Sequence, residues 1–547
     1  MKIIQGTSRL QMQFSSLDDL VSAESPVRII DAFVEKLDLK KIGIGKVKPN
    51  KKQPVTHPGG APRYEDKLLL KLYLYGYLNK IRSSRKLDQE SCRNIELRWL
   101  MEELTPNYHT IADFRKQHSA ALKNLFKLYV QFLDDLNLLG RQTIAVDGSK
   151  FRAVNSSKNN YNQRKIDKHQ AMINDKAEKY LRELDELDND EMDDNGPSYH
   201  KEEVEAALQR LVERKIKYDD LQEQLDNTEE KQISTTDADS RAIIINKNIV
   251  EVSYNMQAAV DAKHNLIVHA EATNTNDSKA LHRAAVKAKE NMGLTKAMRV
   301  DVLSDKGYHT GAELYQCHHD HIETYVAFKE QSAVKHLQKE FLSEHFIYDQ
   351  QTDSYTCPAG HTMTTLGTWH HKKGEAGETS YRFKTYRTEA CKSCSLKSNC
   401  TKLNKRIIQR SEYQDAVDRN NNSIRQHPDY YKRRQSICEH PFGTIKRQWG
   451  YTYTLMKGLQ KVNGEMNLIM LAYNLKRTLS ILGFEKLLQA IQNWQPDYRK
   501  VICALQKYLT EGIYLQNKRL IFFHYKPITF LLVPVTTLQT KYNKFYR

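Results

Sequence analysis

From Val250 to Val260 every second position is apolar: Val250, Val252, Tyr254, Met256, Ala258 and Val260 alternate with more polar neighbours. Period two puts these side chains on one face of an extended strand. The Lys263-His264-Asn265 turn leads into a second apolar run, Leu266 to Ala270, so the pattern predicts a β-hairpin. Two shorter runs predict strands that end on an acid. Thr143-Ile144-Ala145-Val146 reaches Asp147 and then Gly148, where the backbone can turn; Val300 to Leu303 reaches Asp305, with Gly307 close behind. Before the second run, Asp277 or Ser278 can cap a helix through Ala280, Ala284 and Val286.

Elsewhere the period is helical. Residues 17–40 and 64–135 carry apolar positions such as Leu68, Leu69, Leu72, Tyr73 and Leu100, separated by a Lys-, Pro- and Gly-rich stretch at 46–63. An all-helical unit over 1–135 is expected. Ile166, Ile173, Tyr180 and Leu187 recur every seven residues, Val204, Leu208, Leu211, Leu221 and Leu225 mark a second helix, and the acidic stretch DNDEMDDNGPS lies between them. This predicts a helical hairpin over 162–229 that clamps DNA, mediates dimerisation or simply projects into solvent; two or three heptads leave all three open. Near Glu439, Pro441 lacks an amide hydrogen and belongs in the first turn of a helix. The helix is therefore expected to begin near His440, or to kink there, with Glu439 at an amino terminus whose dipole favours an ionised carboxylate. The tail over 481–547 mixes a helical run with RLIFFHYKPITFLLVPVTTLQ, too short and too broken by prolines to span a bilayer. Its last residues, KYNKFYR, could stack on nucleic acid or be a disordered or frame-altered end.

Composition adds a partner class. The chain has 547 residues and a formal charge of 84 − 67 = +17, with a sequence pI near 9.2, which suits a protein that neutralises nucleic-acid phosphates. MKIIQGTSRLQMQFSS lacks the apolar core of a signal peptide, so a cytoplasmic, nucleoid-associated protein with no membrane partner is expected. The chain has eight cysteines, and four of them, Cys357, Cys391, Cys394 and Cys400, share one segment. Zn²⁺ bound by a small ribbon is a better reading than disulfides, with His361, His370 or His371 able to replace one thiolate; free cysteines or a vestigial site are the alternative. Cys92, Cys317, Cys438 and Cys503 read as packing residues.

The candidate chemistry rests on three acids, each in its own pattern: Asp147 in IAVDGSK, Asp305 in VDVLSDKGYHT and Glu439 in RRQSICEHPFGTIKRQWGY. Phosphodiester chemistry uses two hard cations about 3.5–4 Å apart, and Mg²⁺ needs only a few carboxylates from distant parts of a chain. Taken singly, each acid reads equally as a turn residue or a solvated ion-pair partner. Asp237 and Asp239 in TTDADSRA, and Asp301 before Asp305, are competing acids.

Four stretches decide the matter together: RYEDKLLLKLYLYGYLNKIRSSRKLDQESCRNIELRWL, VDGSKFRA, DKGYH and EHPFGTIKRQWGY. In this order they resemble bacterial insertion-sequence transposases of the DDE class, over roughly residues 10 to 480. The resemblance implies an α/β protein whose RNase H-like core comprises 140–161, 232–330 and 403–480, the last part carrying the glutamate. It further implies a helical amino-terminal domain that binds element ends, the hairpin insertion, and a cysteine-rich, zinc-ribbon-like insertion over 345–402. Asp147, Asp305 and Glu439 would hold Mg²⁺ or Mn²⁺, cut at the element ends and join the freed 3′ hydroxyl to target DNA within a homodimer or larger synaptic complex. Related enzymes carry a Tyr and an Arg before the glutamate and a Lys seven residues after it. Lys446 fits, whereas Tyr431 and Arg434 lie eight and five residues upstream. Arg434, Lys446, Arg447 and Tyr431, with Arg82 and Arg85 in the helical domain, are the candidate DNA contacts; a generic basic helix face is the plain alternative. A catalytically inactive or repurposed DNA-binding regulator, and a nuclease that cuts without joining, are the competing functions.

Overall fold

The computed structural model describes residues 10–12, 14–45, 63–190, 198–228, 230–246, 249–328, 338–373 and 379–499. Its amino-terminal part is helical: α1 (Pro26–Glu35), α2 (Leu39–Ile42), α3 (Asp66–Leu78), α4 (Ser84–Arg93), α5 (Ile95–Leu100), α6 (Tyr108–Gln117) and α7 (Ser119–Asp135). Local chemistry sets the starts. Ser25 accepts from the Val27 amide ahead of Pro26 in the first turn, and the Asn94 and Asn107 side chains cap α5 and α6.

The chain then enters a mixed sheet. It contains β1 (Thr143–Arg152), β4 (Arg241–Asn246), β5 (Ile249–Asp261), β6 (Leu266–Thr273), β7 (Val300–Ser304) and β8 (Ile322–Val326), and a separate small pair, β2 (Asn160–Asn162) with β3 (Gln232–Ser234), closes the base of the hairpin α8 (Gln163–Asp190) and α9 (Ser198–Asp226). The main order is β4-β5-β1-β7-β8, with β6 also on β5. β1 runs antiparallel to β5 and parallel to β7, and β7 is parallel to β8. The crossovers are α10 (Leu281–Asn291) and α11 (Gly311–His319).

The predicted hairpin is present as β5 and β6, but the alternation in β5 does not leave a wet face: every residue from Val252 to Asp261 is buried. The polar positions Asn255 and Gln257 are buried because Asp277 takes their amide hydrogens. At the other end of the strand Val250 is exposed. β1 also differs from expectation. It continues through Asp147 and Gly148 to Arg152, because the long β5 pairs with it from Asp261 to Ser253. Only the pairing with β7 stops, at Val146 opposite Ser304.

A second sheet is formed by β9 (Ile347–Asp349), β10 (Ser354–Thr356), β11 (Thr362–Thr365), β12 (His370–Lys373), β13 (Thr379–Arg387) and β14 (Ile408–Ser411), with the short α12 (Lys397–Cys400) beside it. Phe346, Tyr355, Met363, Tyr386 and Ile408 form its small core. The chain closes with α13 (Gln414–Gln426), α14 (Pro428–Phe442), α15 (Leu459–Leu482) and α16 (Phe484–Asn493).

α15 joins the layers. Gly464 permits its close crossing with α7, since a Cβ there would lie 2.6 Å from the Ser119 backbone. On its other side Asn463 and Asn474 each exchange two hydrogen bonds with the backbone of β6, at Ala272 and Ile267. The open edge of β6 is thereby satisfied by helix side chains in place of another strand.

Candidate active site

Asp147 lies on β1 one residue beyond Val146, and Asp305 one residue beyond Ser304, so the two acids follow the last paired residues of neighbouring parallel strands. Backbone amides fix both carboxylates: Asp147 accepts from Gly148 at 2.8 Å and Asp305 from Gly307 at 2.8 Å. Burial pushes the Asp147 carboxyl up to about 6; Arg434 opposes the shift and Asp305 adds to it. An Arg434 nitrogen lies 3.7 Å from Asp147 Oδ2. The offset arginine therefore faces the acid pair as a counter-charge.

Glu439 is placed less tightly. It sits in the last turn of α14, which packs across β1 and β7. The expectation of a helix starting near His440 is overturned: α14 begins at Pro428, includes Pro441, and continues as a π-helix over Gly443–Gln448. Pro441 cannot donate and its ring crowds the carbonyl four residues back, and the wider π turn follows that break. Glu439 thus has no amino-terminal dipole to ionise it. Its side chain is exposed and accepts from Gln435 at 2.8 Å. Burial pushes the Cys438 thiol pKa far up; Asp147, Asp305 and Glu439 add to the shift and Arg434 opposes it.

Among the described residues no group of three or more His, Cys, Asp and Glu side chains is gathered closely enough to hold a metal ion. The donor types still suit a hard cation: carboxylates only, one on β1 and one just past the end of the neighbouring β7, with a guanidinium where a positive charge belongs.

The basic candidates divide. Lys446 Nζ donates to the Lys150 carbonyl at 2.6 Å and lies 4.8 Å from the Phe151 ring centre; burial and the nearby Lys150 ammonium pull its pKa down to about 8. Arg447 is exposed beside it, and Tyr431 is half-buried on α14. Arg85 is exposed, with its guanidinium 5.3 Å from the Tyr108 ring centre. Arg82 does not fit a DNA contact. It is buried, donates to the Tyr453 carbonyl at 2.8 Å, lies 3.4 Å from the fully buried Glu465, and stacks over Tyr451 and Tyr453.

The competing acids have structural work. Asp237 accepts from the Tyr254 hydroxyl and the Gly458 amide, and Asp239 from the Leu459 amide, so together they cap α15. Asp301 pairs across from Thr143 and accepts from Tyr430 and Arg299. Asp277 caps nothing; its carboxylate turns into the sheet, where Lys150 Nζ donates to it at 3.0 Å. Sequence reading missed Asp277, Asn255, Gln257 and Tyr308 around the acid pair, although Lys150 and Tyr308 stand inside VDGSK and DKGY.

Cys357, Cys391, Cys394, Cys400 and His361 line one cavity of about 20 Å³, room for a single small occupant. The Cys357 sulfur accepts from the His361 amide at 3.3 Å. Burial raises the Cys400 thiol pKa; Arg406 opposes this and the other three cysteines add to it. His370 and His371 lie on β12 and do not line the cavity. Of the remaining cysteines, Cys317 and Cys438 are buried as expected, Cys92 is exposed against expectation, and Cys503 lies outside the described residues. Among the described residues no helix is long and apolar enough to cross a membrane, and the apolar tail stretch lies outside them.

Comparison with protein families gives two matches: a transposase DDE domain over residues 356–479 and a transposase domain (DUF772) over residues 15–117. The first contains the four clustered cysteines, Glu439 and Lys446, while Asp147 and Asp305 fall outside both. No curated protein and no solved structure matches the chain.

Proposed function

We propose that this chain, an insertion-sequence transposase of the DDE class by its two family matches, cuts and joins DNA with Asp147, Asp305 and Glu439 as its metal-holding acids. The observation that carries the reading is the placement of Asp147 and Asp305 on adjacent strands, one residue past the last β1–β7 pair, with Arg434 against Asp147. An RNase H-like core is supported by the sheet order, with three parallel strands, β1, β7 and β8, flanked by the antiparallel β5 and β6.

When bound, Mg²⁺ or Mn²⁺ would activate the attacking oxygen and stabilise the leaving one. The protein's own part is positional. β1 carries one carboxylate and the turn at the end of β7 the other, and Arg434 offsets their repulsion until a cation does. Glu439 is free to join them by releasing Gln435, a side-chain bond within one helix turn. Lys446 and Arg447 lie on the π turn that follows and offer positive charge to the phosphate backbone. Arg85, exposed on α4, is a further candidate phosphate contact, whereas the buried Arg82 is not. The four cysteines line one cavity without being drawn tightly together, and they would close on Zn²⁺ as a structural ion. Holding two element ends together calls for a homodimer or larger synaptic complex.

The test incubates the purified protein with cloned flanking ends and Mg²⁺ or Mn²⁺, beside Asp147→Ala, Asp305→Ala and Glu439→Ala. Metal-dependent cleavage and strand transfer, lost in all three variants, is expected. Activity surviving one replacement removes that residue from the triad. Cleavage without joining makes the protein a nuclease, and binding without products makes it a DNA-binding regulator.

A further inference from the structure

Asp277 comes from the turn after β6, far in sequence from either acid, yet its carboxylate sits between the segments that carry them. Oδ1 accepts from Asn255 Nδ2 at 2.8 Å and Gln257 Nε2 at 2.7 Å, and Lys150 Nζ reaches both oxygens at 3.0 and 3.2 Å. Asn255 and Gln257 are the β5 partners of Lys150 and Gly148 on β1. A Cβ on Gly148 would fall 2.3 Å from Asp277 Oδ1, and one on Gly307 would fall 3.6 Å from the Asp277 Cβ. The residue after Asp147 must therefore be a glycine so that this carboxylate can lie against the backbone. Gln257 completes the tie: its Oε1 accepts from the buried hydroxyl of Tyr308, in the turn that follows Asp305.

We propose that Asp277 is a positioning residue of the carboxylate site, tying to β5 both the β1 segment after Asp147, through Lys150 and its close approach to Gly148, and the turn after Asp305, through Gln257 and Tyr308. Oδ1 accepts from Asn255 and Gln257 and Lys150 reaches both oxygens, so the carboxylate is held by three side chains of the two central strands and acts on the acids through them. The Gly in VDGSK and the Tyr in DKGY both serve this tie. The inference rests on the proposed metal-holding role of Asp147 and Asp305 for its functional consequence, but the tie itself is a statement about geometry.

The experiment uses the full chain with Asp277→Ala, Asp277→Asn and, as reference, Asp147→Ala. Hydrogen exchange over residues 144–152 and 300–310 is followed by mass spectrometry, and Mn²⁺ binding is followed by electron paramagnetic resonance. Asp277→Ala is expected to lose protection in both segments together and to weaken Mn²⁺ binding about 10-fold. Asp277→Asn keeps an acceptor for the amides and is expected to recover part of the protection. Should Asp277→Ala unfold the chain, Asp277→Asn carries the same comparison. Unchanged protection in both segments overturns the tie, as does protection lost evenly across the whole sheet. If Asp147→Ala binds Mn²⁺ as the wild type does, the metal-holding reading fails, while coupled loss of protection in Asp277→Ala still supports the tie.

Discussion

Asp147 carries its charge at a cost. Its folded pKa of about 6 lies above that of a free aspartate, so folding takes up a proton between roughly pH 4 and 6. In chelator this group adds stability as pH falls through that window and subtracts it above. Asp147→Asn is expected to melt about 2 °C higher than wild type at pH 8 by calorimetry, with the gap narrowing below about pH 6 and closed near pH 4; a variant that melts lower at pH 8 would contradict this assignment. Arg82 makes the opposite case. Removing one partner of a buried ion pair strands the other, so Arg82→Ala should cost about 3 kcal/mol in urea unfolding, because Glu465 would lose its buried cation. The salt dependence of DNA affinity should stay as in wild type, whereas Arg447→Ala should flatten it by about one counterion. In the sequence the two arginines look alike. Long-range contacts separate them: Arg82 meets Glu465, 383 residues away, and the carbonyl and ring of Tyr453.

Elements with strong periodicity were readable, and elements shaped by neighbours were not. Ile166, Ile173, Val204, Leu208, Leu211, Leu221 and Leu225 are buried in the α8–α9 hairpin, as their spacing requires, while Tyr180 is half-buried and the Leu187 side chain lies outside the described residues. β1 was expected to end at Asp147 because Gly148 suggests a turn, yet tertiary pairing with β5 carries it on and the glycine serves close approach. The start of α14 differs for a related reason: Pro441 signals either a helix start or a kink, and in this chain it lies inside a helix that begins at Pro428 and widens into a π turn just after it. Because β2 and β3 pair at the base of the hairpin, Asn160 to Ser234, the insertion is expected to be removable. Replacing residues 163–231 by a two-residue turn should lower helical circular dichroism while leaving the melting temperature of the rest within about 3 °C. A collapse of the cooperative transition would mean that α8 and α9 support the core.

At the scale of the molecule, the acid pair, the mixed sheet and the cysteine segment were legible because each is carried by a short local word. The Asp277 network was not, since its members come from four separate stretches brought together by sheet register and side-chain hydrogen bonds. The cysteine segment offers a direct check. One equivalent of zinc by elemental analysis is expected in protein purified without chelator, falling below about half in Cys394→Ser. Zinc-free wild-type protein with an intact second sheet would refute the structural ion. α15 has a consequence for how the chain is made. Its residues lie more than 300 positions after α7, yet Gly464 seats it on Ser119 while Asn463 and Asn474 close β6. A nascent chain leaving the ribosome must therefore carry α7 and β6 with their faces uncovered until residue 482 has emerged. Any message truncated before that point yields a product for chaperones and proteases to clear, and a shortened inhibitor that keeps only the amino-terminal helices would have to find another way to cover α7.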